Sequence, residues 1–125
     1  MHVSGWARAT VPGQTASAAY LLIHNGERTA DRLIAVTSPA AAKASVHVTT
    51  TAGGVVRMRS ARAVPVGAGQ MMEMKPGGLH VMLTGLKAPL RVGQQLPLTL
   101  RFARGGTVRT SVPIRLQASD AGHRH

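Results

Sequence analysis

The 125 residues suffice for one domain with its own buried core, and they carry 15 Lys and Arg against 4 Asp and Glu, a net charge of +11. The absence of Cys excludes disulfides, zinc–thiolate sites, thiol nucleophiles and the thiolate-bound blue-copper centre. No apolar run approaches the roughly 20 residues of a membrane-spanning helix, so a soluble β domain without a membrane span is expected, whose basic field attracts polyanions or acidic surfaces.

Alternating hydropathy and turn punctuation predict short strands along the whole chain. His2–Thr10 alternates and stops at Pro12-Gly13; no secretion signal is visible ahead of it, so an exported chain is expected to have had a signal peptide removed. Ala16–Ile23 is apolar and ends at Asn25-Gly26, a strong turn dipeptide. Arg32–Thr37 stops at Ser38-Pro39. Lys43–Thr50 and Val55–Ser60 flank Thr51-Ala52-Gly53-Gly54 and read as a hairpin. Arg62–Val66 ends in Gly67-Ala68-Gly69, Gln70–Met74 runs into Lys75-Pro76-Gly77-Gly78, and Leu79–Leu83 follows. After a loop around Lys87-Ala88-Pro89, Leu96–Ala103 and Thr107–Leu116 form a last hairpin through Gly105-Gly106. Only Ala40–Lys43 or Thr84–Lys87 could hold a helical turn. About eight or nine strands at intervals near ten residues predict an all-β domain over residues 1–117, a two-sheet sandwich or small barrel. Residues 118–125 read as a frayed tail. Arg57, Arg59, Arg101, Arg109 and Arg115 alternate with apolar neighbours, the pattern of a solvated sheet face.

Chemistry must come from six His and six Met. Residues two apart on a strand share a face, about 6.5–7 Å apart, so His80 and Met82 point one way while Leu79, Val81 and Leu83 point to the core. A tight turn centred between Ala52 and Gly53 would set His47 directly across from Met58, with Cβ atoms about 4.5–5.5 Å apart. Each pair then supplies one imidazole and one thioether. Thioether sulfur is soft, and two neutral imidazoles with two thioethers leave a cation's charge uncompensated, which favours Cu(I) over a dication. Protonated imidazole cannot ligate, so binding should weaken below about pH 6. Met72 is expected in the core, with Met71 and Met74 on the strand surface, and His2 and His24 show no partner pattern.

Other classes find less support. Glu27, Asp31, Glu73 and Asp120 are isolated, and no carboxylate pair, cysteine nucleophile or Ser-containing elbow points to an enzyme. Nucleic-acid binding needs stacking residues, and aromatics make up 2% of the chain. A basic β-sandwich interaction module without metal transfer is the alternative reading.

The four positions and their surroundings resemble the periplasmic copper chaperones called PCu(A)C. His47, ten residues, Met58, twenty-one residues, His80, one residue and Met82 have that family's ligand spacing. Trp6-Ala7-Arg8-Ala9-Thr10 with Pro12-Gly13, Ala18-Ala19-Tyr20 and Arg32-Leu33 look like its opening. Gly53-Gly54-Val55-Val56-Arg57-Met58-Arg59 and Lys75-Pro76-Gly77-Gly78-Leu79-His80-Val81-Met82-Leu83 look like its central and late motifs, and Leu96-Pro97-Leu98-Thr99-Leu100 its closing strand. The similarity runs from Trp6 to Ile114. It implies a cupredoxin-like Greek-key β-sandwich, a monomer outside the cytoplasm, that binds Cu(I) through His47, Met58, His80 and Met82. It further implies delivery towards the CuA centre of cytochrome c oxidase, with subunit II or a Sco-type protein as recipient. Two departures stand out. Val48 and Thr49 follow His47 where members often carry a further Met, and the tail offers only His123 and His125 for Cu(II).

Overall fold

The computed structural model describes residues 1–116, and every helix or strand in them is a strand. In chain order these are β1 (His2–Arg8), β2 (Ala16–His24), β3 (Asp31–Thr37), β4 (Ala41–Ala52), β5 (Val55–Ser60), β6 (Val64–Val66), β7 (Met71–Glu73), β8 (Leu79–Leu86), β9 (Gln95–Phe102) and β10 (Gly106–Arg115). The expected segments all appear, and ten strands replace the eight or nine anticipated. Among the described residues no helix is long and apolar enough to cross a membrane.

The first sheet runs β5-β4-β8-β2-β1, and β7 lies beyond β8 along the same edge of β2. The second runs β10-β9-β3-β6. β10 joins them: its length pairs antiparallel with β9, while its end pairs parallel with β1 at Ala7↔Ile114. A strand that changes sheets in this way turns a corner and folds one layer over the other. Val3, Ala7, Leu21, Ile23, Val81 and Leu83 from the first layer share one buried core with Leu33, Leu98, Leu100, Phe102 and Val112 from the second. The three aromatics Trp6, Tyr20 and Phe102 are also buried. This is an all-β cupredoxin-like sandwich.

Neither proposed helical turn forms. Ala41, Lys43 and Ala44 pair with Leu86, Thr84 and Leu83, so both stretches are strand. A few alanines favour helix only weakly, and continuous pairing outweighs that preference. Gly85, at φ +65°, lets the strands close up, since a Cβ there would stand 2.7 Å from the Ala42 Cβ. Asn25 does not make a two-residue hairpin. Fully buried, it donates to the carbonyls of Thr29 and Val66 and accepts from Glu27 N, shaping a longer loop into β3. Met74 is buried, not on the surface as the alternation predicts, because the chain turns inward as β7 ends and Met74 N binds Leu21 O. Met72 packs against the core and Met71 is exposed, as expected.

Asp31 is not an isolated loop acid. Its carboxylate, 7% exposed, accepts from the backbone N–H groups of Arg32, Arg104 and Gly105 at 2.7–2.8 Å, fastening β3 to the β9–β10 turn. Burial by itself raises the carboxyl, but those three donors and the Arg104 charge outweigh it and hold Asp31 below the usual carboxylate range.

Candidate metal centre

β8 sorts its side chains by parity. Val81 and Leu83 are fully buried on the core face, which leaves His80 and Met82 together on the outer face. β4 runs antiparallel beside it so that His47 is the cross-strand partner of His80 and Ser45 that of Met82. The two imidazoles are 6.1 Å apart between ring centres and inclined by 27°. On the other side of β8, Met82 faces Ala18 of β2, and the Tyr20 ring centre is 6.4 Å from that of His80. The Trp6 ring lies 4.8 Å from that of Tyr20, tilted by 35°, and the Arg8 guanidinium sits 5.6 Å over the Tyr20 ring.

These rings explain why His80 is only 6% exposed on an outer face. Its Nδ1 lies 3.1 Å from the Gly78 carbonyl. A carbonyl can only accept, so Nδ1 carries the hydrogen and Nε2 keeps a free lone pair. A fixed donor on one ring nitrogen is the usual way a ligating imidazole is oriented. His47 has its Nε2 2.9 Å from Ser45 Oγ on its own strand.

The hairpin register differs from the sequence expectation. His47 pairs with Ser60, and Met58 pairs with Thr49. The turn centre explains the shift: Gly53 and Gly54 both adopt positive φ, 59° and 80°, and Ala52 pairs with Val55. A two-residue hairpin turn of this kind needs left-handed backbone at both central positions, which two glycines supply without steric cost and Ala52 does not. The slip is two residues, so Met58 keeps the expected face. It becomes a diagonal neighbour of His47, a spacing of about 7–8 Å.

Met58, His80 and Met82 line one cavity of about 320 Å³, with Tyr20, Arg8 and Thr49 among its walls. His47 does not line it and stands beside it, against His80. Met58 is 51% exposed on the edge strand, whereas Met82 is half-buried mid-sheet. His123 and His125 lie outside the described residues.

Among the described residues no group of three or more His, Cys, Asp or Glu is placed to hold a metal, whereas two imidazoles and two thioethers stand on one sheet face. The cavity wall contains no carboxylate or thiolate and does contain a guanidinium. Such a wall disfavours the uncompensated charge of a dication and suits a soft monovalent ion. Trp6, Arg8 and Tyr20 belong to the opening motifs of the sequence, but nothing in those motifs or around Ser45 assigns the four residues a place at the site they shape. The one local hint is that Ser45 stands two residues before His47 on the same strand face.

A family model described as "Putative lipoprotein LpqE-like" matches residues 2–114. "Putative lipoprotein Lxx21020" of Leifsonia xyli subsp. xyli (strain CTCB07) is 38% identical over 111 residues, and the chain spans 66% of its length, just under two thirds. The apo PCuAC domain from PmoF1 superposes with a TM-score of 0.76 at 31% identity, over 90% of this chain and 91% of that one. The copper-bound PCuAC domain from PmoF2 gives 0.75 at 26%, over 90% of each chain. CuI-DR1885 from Deinococcus radiodurans gives 0.73 at 27%, over 93% of this chain and 78% of that one.

Proposed function

The chain belongs to the LpqE-like family, and on that premise we propose that it is a Cu(I) carrier acting outside the cytoplasm, with residues 1–117 as the copper-binding unit. One observation carries the reading: His47 and His80, remote in sequence, are cross-strand partners with facing rings, and Met82 and Met58 stand on the same sheet face. His80 offers Nε2, His47 a second imidazole nitrogen, and Met58 and Met82 their sulfurs. Copper is the cargo in this reading, and the chain acts as a carrier and not as a catalyst.

Release proceeds by ligand exchange, with a recipient's donor replacing one thioether at a time. Met58 leaves first, because it is half-exposed on the outermost strand while Met82 is held between β2 and β4. The copper-bound state of two structural relatives supports the choice of metal, and the lipoprotein description of the family and of the Leifsonia relative supports an exported setting. The recipient in this reading is the CuA centre of cytochrome c oxidase, reached through subunit II or a Sco-type protein.

The test is an anaerobic Cu(I) titration against a competing chelator, with X-ray absorption to count neighbours. One tightly bound ion with two nitrogen and two sulfur neighbours is expected. His47→Ala and His80→Ala should each weaken binding by more than the roughly 10–100-fold that loss of a supporting outer partner costs. Unchanged affinity in both variants would reject the assignment.

A further inference from the structure

Two histidines and a methionine that the first centre does not use are brought together at the other end of the same sheet. β1 and β2 pair with His2 opposite His24, and β2 and β7 pair with His24 opposite Met71. Directly opposed residues of antiparallel strands share a face, with Cβ atoms about 4.5–5.5 Å apart. His2, His24 and Met71 therefore form one transverse row across three strands, its outer members about 9.5 Å apart at twice the strand spacing. All three are exposed, Met71 by 63%, so none of them is committed to the core.

The backbone beneath the row is fixed. Though short, β7 is clamped to β2 at both ends, by Asn25 N to Gln70 O at 2.9 Å and Met74 N to Leu21 O at 2.8 Å, with Asn25 and Met74 themselves buried. The row also lies well away from the first centre. His24 and Ala18, the neighbour of Met82, are separated by about 20 Å at roughly 3.4 Å per residue along β2. One ion cannot bridge the two.

We propose that His2, His24 and Met71 form a second Cu(I) site, three-coordinate and open to solvent, that loads the same chain with another ion. The chemistry follows from the donors. Two neutral imidazoles and a thioether match a soft monovalent cation. Glu73 stands two residues further along β7, opposite Leu22, and does not complete an oxygen-rich alternative, since the described residues contain no group of three His, Cys, Asp or Glu placed to hold a metal. With one donor fewer than the first centre and no ring packed over it, the row binds more weakly and exchanges faster. The site stands on residues separate from those of the function proposed above and survives the failure of that reading.

The experiment is an anaerobic Cu(I) titration of the full chain against bicinchoninate, with metal content measured after desalting. The chain is expected to take two equivalents in two steps. His24→Gln and Met71→Leu, both exposed positions, should remove the weaker step and leave the tighter one unchanged. The His80→Ala/Met82→Leu variant should keep the weaker step, and adding Met71→Leu to it should abolish that step. A single equivalent in the unaltered chain, or a second equivalent indifferent to His24→Gln and Met71→Leu, overturns the proposal. The latter result would transfer that ion to the His123 and His125 segment. If His80→Ala/Met82→Leu leaves the tighter step intact, the first centre is misassigned, while the second is still judged by its own variants.

Discussion

Replacing Gly53 and Gly54 together by Ala tests how a turn sets the proposed metal centre. Both glycines are left-handed, and neither has an atom within 4 Å of where a Cβ would stand. The penalty is thus conformational only, about 1–2 kcal/mol per residue or about 2–4 kcal/mol together. It falls on an arm with little to resist it, because β5 pairs only with β4 and all six of its residues are exposed. A penalty of that size shifts the opening equilibrium of the arm by roughly 30- to 700-fold. β4 stays in place, since β8 pairs it from Ala41 to Val48. The double variant should therefore detach Met58 while His47, His80 and Met82 stay, with little change in melting temperature because β5 buries almost nothing. Cu(I) affinity should fall to the level of Met58→Leu, and combining all three substitutions should lower it no further, the non-additivity expected of changes acting through one group. Unaltered affinity in the double variant, or a loss that simply adds to that of Met58→Leu, would refute the link between turn and thioether.

Two further outcomes follow from the scaffold. Asp31→Asn puts an amide where a carboxylate now collects three backbone donors, and should cost about 2–4 kcal/mol at pH 7 by urea unfolding. Because folding holds this carboxyl below its ordinary value, its contribution is complete above about pH 4 and is lost as the pH falls through the folded value. The deficit of the variant should accordingly shrink in acid, and equal stability of the two proteins at pH 7 would remove Asp31 as a clip. Gly5→Ala, at φ +151°, would drive a Cβ into the Tyr20 carbonyl and to 3.0 Å from the Leu21 Cα, backbone atoms that cannot rotate away. A loss of at least about 2–4 kcal/mol is expected, with a red shift of the fluorescence of Trp6, the sole Trp, as its contact with Tyr20 loosens. Native stability and an unshifted spectrum would contradict that close approach.

The fold class and the strand positions were legible in the sequence because hydropathy alternation and turn chemistry are local. The face on which each proposed donor stands was legible for the same reason: a period of two fixes His80 with Met82, and a two-residue shift of the hairpin register leaves Met58 on the expected face. The register of that hairpin is local in origin too, since the requirement for positive φ at both central positions selects Gly53-Gly54 over Ala52-Gly53. The pairing of His47 with His80 was not legible, since nothing in either segment states that β4 and β8 lie side by side. Neither was the row of His2, His24 and Met71, nor the inward turn of Met74. Which strands become neighbours is decided by closing both layers over one core through β10, a free-energy balance of the whole chain that no window of residues contains.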